Sequence, residues 1–145
     1  PILQKGWQTI GKYKYYFNDN GVMNIGWRKI DNIWYYFNIN GEMQTGWLFE
    51  NNIWYHFETT GSMTVGWKKI NNDWYYFNSN GEMQTGWQNI GTPKYHFRDN
   101  GVMDIGWREI DGQWHYFNEN GEMQTGWQYI NGNSYYFDEK GIWKQ

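Results

Sequence analysis

The stretch GWRKIDNIWYYFNINGEMQT, residues 26 to 45, decides the fold. It holds two tryptophans, two tyrosines and a phenylalanine among residues that are otherwise largely polar. At its centre Asp31-Asn32 carries two-residue turn chemistry between β-favouring runs, which reads as a hairpin. No apolar stripe at period 3.6 is present to favour a helix. With Asp31-Asn32 as the loop, Ile30 faces Ile33, Lys29 faces Trp34, Arg28 faces Tyr35 and Trp27 faces Tyr36. Side chains alternate between faces along a strand, and opposed residues share a face. Trp27, Trp34 and Tyr36 therefore project to one side, and Ile30, Tyr35 and Phe37 to the other.

The same stretch recurs along the chain. Gly-Trp pairs stand at Gly6, Gly26, Gly46, Gly66, Gly86, Gly106 and Gly126, a step of 20 residues each time. Phe17, Phe37, Phe57, Phe77, Phe97, Phe117 and Phe137 keep one place in every unit, and Gly21 to Gly141 keep another. The methionine place runs from Met23 to Met123 and becomes Trp143 in the last unit. Alternate units end in GEMQT, which suggests duplication in pairs. Asn-x-Asn-Gly segments such as Asn38 to Gly41 read as connections, with glycine supplying positive φ. A lone hairpin is marginal in water, so successive units must stack to bury their faces. The expectation is an all-β solenoid of stacked hairpins, one repeat module over 1–145 with residues 1–5 as the tail of a preceding unit. PILQK and GIWKQ at the two ends read as fragments of further units, so the chain is expected to be cut from, or to end, a longer protein.

Composition narrows the function. Aromatic residues make up 23% of 145 residues, and the rings must supply most of the apolar burial. Mean hydropathy is −0.96 and the net charge is −3. An acidic chain lacks the basic stripe that nucleic acid requires. No apolar run has the length of a membrane span, and no secretory signal heads the sequence. Cysteine is absent, which excludes a disulfide framework and cysteine-based metal sites. His56, His96 and His115 occupy tyrosine places in the repeat and form no catalytic constellation, so no enzyme is expected.

Some rings behave as scaffold and others do not. The phenylalanines, the isoleucines and the second tyrosine of each Tyr-Tyr-Phe read as core. Stacking brings Trp27 and Trp34 of one hairpin towards Tyr55 of the next. Three ring faces about a gap, with no carboxylate fixed among them, suit a weakly hydrated quaternary ammonium. The second tryptophan is also lost unit by unit: Trp34, Trp54, Trp74 and Trp114 give way to Lys14, Lys94 and Ser134 elsewhere. Gly-Trp and Phe persist in those same units. A ligand site behaves in this way.

The G-W-x-x-I, W-Y-Y-F and G-x-M-x-T/x-G-W elements, repeated over essentially the whole chain, resemble the choline-binding (cell-wall-binding) repeats of Gram-positive surface proteins, autolysins and phage lysins. The resemblance implies a left-handed superhelix of hairpins and binding of the choline or phosphocholine of teichoic or lipoteichoic acid, with no cofactor and no membrane insertion. It also implies a secreted protein held at the cell wall or cell surface. Carried over by position, it implies four sites. They are Trp27, Trp34 and Tyr55; Trp47, Trp54 and Tyr75; Trp67, Trp74 and Tyr95; and Trp107, Trp114 and Tyr135. Trp7 with Lys14 and Tyr35, and Trp87 with Lys94 and His115, depart from the pattern and are expected to be empty or weak. Methionines such as Met43 and Met83 are candidates for cavity walls or for core. Exposed rings at Tyr135, Tyr136 and Trp143 make a homodimer through terminal hairpins a further expectation. The rival reading is a glycan-binding repeat of the glucan-binding or toxin-tail type, whose aromatic faces stack on sugars.

Overall fold

The computed structural model describes residues 2–145, and among these every regular element is a strand. β1 (Gly6–Ile10) pairs with β2 (Tyr13–Phe17), and β3 (Gly26–Ile30) with β4 (Ile33–Phe37). β5 (Gly46–Glu50) pairs with β6 (Ile53–Phe57), and β7 (Gly66–Ile70) with β8 (Asp73–Phe77). β9 (Gly86–Asn89) pairs with β10 (Lys94–Phe97), β11 (Gly106–Ile110) with β12 (Gln113–Phe117), and β13 (Gly126–Ile130) with β14 (Asn133–Phe137). The short β15 (Trp143–Lys144) adds a third strand beside β14.

The register is the one that the turn dictates. Trp27 lies opposite Tyr36, Arg28 opposite Tyr35, Lys29 opposite Trp34 and Ile30 opposite Ile33. Both loop residues take positive φ, 52° at Asp31 and 68° at Asn32, as a two-residue turn matched to strand twist requires. One hairpin differs. Pro93 stands where a ladder residue would donate an N–H, and β9 and β10 are a residue shorter than the other hairpin strands.

The linkers tie one hairpin to another. Asn38 Oδ1 accepts from the backbone N–H groups of Asn40 and Glu42, and this folds the chain back on itself. The methionine that follows then donates its backbone N–H to the preceding hairpin. Met63 N bonds Trp34 O at 2.9 Å, and Met103 N bonds Trp74 O at 2.9 Å. The Met63 thioether lies against Gly81, where an added Cβ would collide with it, and Gly81 also holds φ at +81°. Glycine is thus fixed there twice, by close approach and by conformation.

By compactness the chain forms two units, one running through Gly66 with Phe77–Glu82, the other Trp67–Tyr76 with Met83–Gln145. Among the repeat phenylalanines, Phe37, Phe57 and Phe77 are buried in the first and Phe97, Phe117 and Phe137 in the second, whereas Phe17 is only half-buried. Tyr95, Phe97 and Met103 form a continuous cluster in the second unit, with Tyr76 and Ile90 against it. Two scaffold expectations need correction. Ile30 and Ile130 are buried, but Ile10 is more than half exposed. The second tyrosines are half-buried, and Tyr136 is exposed. Tyr36 and Tyr76 lie edge-on to the tryptophan opposite, at 5.2 Å and 5.0 Å.

Where histidine replaces that second tyrosine, it keeps the edge-on contact with the tryptophan opposite and adds a polar network with the linker. His56 Nδ1 lies 2.8 Å from Thr64 Oγ1, which donates to Glu58 at 2.7 Å. Asp104 is wholly buried, with His96 Nδ1 at 2.6 Å and Arg98 Nε at 2.8 Å. Buried polar groups are satisfied in this way rather than left bare.

Candidate functional site

The first site set comes together within the first unit. Trp27 on β3 lies 6.2 Å from Trp34 on β4 and 4.8 Å from Tyr55 on β6, edge-on in both cases. The ring planes are steeply inclined to each other around a cavity of about 240 Å³ that Met63 and Asn80 complete. Trp34 stands at the rim and is 40% exposed, so the cavity opens to solvent. None of these five lining side chains is ionised.

Charge lies behind the rings instead. The Trp27 indole N–H donates to Glu50 Oε1 at 2.7 Å. The same carboxylate accepts from the Tyr36 hydroxyl, which with burial raises the Tyr36 pKa above its ordinary value. Burial raises that of Tyr55 too, helped by the fields of Glu82 and Glu50. The tyrosine is therefore a neutral ring at physiological pH, in a negative field that favours a cation.

The second unit repeats the arrangement. Trp67 lies 6.3 Å from Trp74 and 4.9 Å from Tyr95, around a cavity of about 350 Å³ that Met103, Glu119 and Asn120 also line. Tyr95 is buried, and burial first, then Glu122, raises its pKa. Trp107 lies 6.4 Å from Trp114 and 4.9 Å from Tyr135. There Trp143 takes the methionine's place, 5.8 Å from Trp107 and 5.9 Å from Tyr135, so a fourth ring stands by the set. Trp47 and Trp54 are perpendicular at 5.9 Å in the first unit, with Phe49 on Trp54 at 4.9 Å. Tyr75 belongs to the second unit, on β8.

The two departures keep the first ring contact and lose the second wall. Trp7 lies 4.9 Å from Tyr35, with Lys14 at the place of the second tryptophan. Trp87 lies 5.0 Å from His115, and Lys94 Nζ stands 5.7 Å from the centre of the Trp87 ring. His115 is buried, and desolvation lowers its pKa below the ordinary 6.5.

The linker asparagines and the carboxylate behind Trp27 escape a sequence reading of one hairpin, whereas the methionines are candidates for the walls on sequence alone. Asn80 and Asn120 arrive from linkers two units further on, at positions that stacking alone settles. Met63 and Met103 are walls of the cavities as well as packing for the next glycine. Glu50 left a trace in the sequence: it stands where the repeat otherwise has isoleucine.

Among curated protein sequences none matches. The choline-binding repeat family matches residues 24–65, 64–103 and 104–141, and the putative cell wall binding repeat matches residues 5–23. Among solved structures, CbpJ of Streptococcus pneumoniae is 37% identical with a TM-score of 0.94, over 97% of this chain and 52% of that one. Choline binding protein F of the same organism, in the presence of a peptidoglycan analogue, is 36% identical with a TM-score of 0.93 over the same shares. The cell wall endolysin of phage Cp-1, complexed with choline, is 30% identical with a TM-score of 0.61, over 86% of this chain and 38% of that one. The chain thus spans about half the length, or less, of these relatives. Repeats occupy residues 5–23 and 24–141, so these residues form a binding module and hold no catalytic domain. The chain belongs to the choline-binding repeat family.

Proposed function

We propose that this module attaches to the cell surface by taking the choline groups of teichoic or lipoteichoic acid, as choline or phosphocholine, into its aromatic cages. The observation that carries the reading is the open cavity of about 240 Å³ among Trp27, Trp34 and Tyr55, walled by ring faces and free of lining charge. A trimethylammonium group gains there twice, from the quadrupoles of the rings and from taking its methyls out of water. The choline complex of the phage Cp-1 endolysin, 30% identical to this chain, supports the ligand. Trp67, Trp74 and Tyr95 form the equivalent cage, and Trp107, Trp114 and Tyr135 a third. Trp47, Trp54 and Tyr75 complete the proposal on sequence grounds.

Each cage is expected to bind modestly. Cation–π contacts contribute about 0.5–2 kcal/mol each, and a total of about −4 kcal/mol corresponds to roughly millimolar affinity. Several cages facing one polymer raise the retention well beyond that by effective concentration. Calorimetric titration with choline tests the reading, with Trp34→Ala beside the parent. About four sites in the parent and one fewer in the variant are expected from the cages proposed here. Absence of heat with choline, together with retention on a polysaccharide matrix, would transfer the rings to sugars.

A further inference from the structure

The pocket at Trp87 differs from its neighbours in charge. Lys94 stands where the flanking units have Trp74 and Trp114, and His115 where they have Tyr95 and Tyr135. The cavity is about 390 Å³ and its lining includes Trp87, Lys94, Asp111, Gln113, His115 and Lys140, all within the second unit. Lys94 Nζ lies over the face of Trp87, 5.7 Å from its centre. The ring face that a quaternary ammonium would need therefore already carries a cation, and like charge repels another. Lys140 brings a second ammonium to the lining from the linker after β14. Neither lysine is in an ion pair among the described residues.

The charge balance follows. Burial keeps His115 neutral at pH 7, and Asp111 supplies one carboxylate, so two ammonium groups leave the lining net positive. The Trp27 cavity has no ionised side chain in its lining, and the Trp67 cavity has one, the carboxylate of Glu119. The Trp67 cavity and the Trp87 pocket, in successive repeats, thus have linings of opposite charge. Two lysines are independent point charges with rotatable N–H donors, which suits a tetrahedral oxyanion. A planar carboxylate would favour the fixed fork of arginine instead.

We infer that the Trp87 pocket is an anion site that takes a phosphate group on the ammonium groups of Lys94 and Lys140, with the Gln113 amide as a neutral donor. The inference stands whether or not the cages take choline. Phosphate in the pocket replaces the missing counter-ion of Lys94, and the lysine remains on the Trp87 face.

The test follows the indole N–H resonances of the labelled module, with the Trp87 signal identified by Trp87→Phe. Inorganic phosphate is titrated at constant ionic strength, and choline chloride in a separate series. Phosphate is expected to shift the Trp87 signal saturably. Lys94→Gln should weaken that response about tenfold, equivalent to about 1.4 kcal/mol, and Lys140→Gln should weaken it too. Lys29→Gln, on an exposed position of β3 in the other unit, should leave it unchanged. Lys94 is exposed, so its variant is expected to keep the parent melting temperature, which the same samples report. An equal phosphate response in Lys94→Gln would overturn the inference, as would a Trp87 shift with choline and none with phosphate. Glycerol phosphate separates the sources: tighter binding than inorganic phosphate assigns the site to a polymer ester, and equal binding assigns it to the free ion. Loss of the choline response at Trp34 and Trp74, with the phosphate response kept, would sink the cages and leave this pocket standing.

Discussion

The Trp67 and Trp87 hairpins make the same contacts with the repeat that follows, although Pro93 shortens the second, and they differ in what their rims hold. Each presents its first tryptophan to a ring of the following unit, at 4.9 Å to Tyr95 and 5.0 Å to His115. Each gives a strand carbonyl, at Trp74 and at Lys94, to the methionine N–H of a later linker. Each leans on a wholly buried phenylalanine of the next unit, Phe97 at 5.8 Å and Phe117 at 5.9 Å. The backbone therefore does not depend on the second tryptophan. Its carbonyl serves the stack whatever the side chain, and the exposed side chain is left to specify the ligand.

That division can be broken first at the spine. Phe97→Ala removes a ring with no exposed surface, and a loss of about 3–5 kcal/mol is expected in urea unfolding. Trp74→Ala, at a residue 37% exposed, should leave the same curve much closer to the parent. If the two variants unfold alike, cage and spine are not separable.

The polar network under the Trp87 hairpin ranks next. Asp104→Asn leaves one oxygen where His96 and Arg98 each have their own, and about 1–3 kcal/mol is expected by urea titration. A neutral result would mean that water replaces the lost contact.

Ligand binding gives a smaller but more pointed contrast. Trp74→Ala should remove one choline equivalent in calorimetry. The double variant Lys94→Trp with His115→Tyr should add one, because it restores both missing walls. A double variant that folds but gains no choline heat would show that more than these two side chains separates the pockets.

The smallest effect is pH-dependent. Folding lowers the pKa of His115 from 6.5, so the unfolded chain binds the proton more readily. Its contribution to stability is fully present above pH 6.5 and is lost as pH falls through the folded value. The drop in melting temperature between pH 7.5 and pH 5.5 should therefore shrink in His115→Tyr. An identical drop would assign the acid sensitivity to other groups.

Much of this architecture is legible in one hairpin. Asp31-Asn32 fixes the register, the register sets Trp27 and Trp34 on one face, and the fixed step of 20 residues carries Tyr55 to them. What lies beyond one hairpin is not legible. Asn80 reaches the Trp27 cavity, and Lys140 the Trp87 pocket, only because linkers pass over earlier units, and no local pattern encodes that path. The second tyrosines misled for a related reason. Alternation says which face a ring takes, but it cannot say that the face ends at an open rim, as at Tyr136.

The Trp27 cavity draws its wall from residues as far apart as Trp27 and Asn80, so no unit owns a cage outright. Valency is consequently a property of copy number. Gene slippage that inserts one 20-residue unit in phase keeps the glycine, phenylalanine and methionine places in step, and it adds a proposed cage only where the new unit carries the second tryptophan. Loss of a unit closes up in the same manner, with the outer neighbours re-forming the wall between them. A slip that is not a multiple of 20 takes the glycine, phenylalanine and methionine places out of step with the repeats before it.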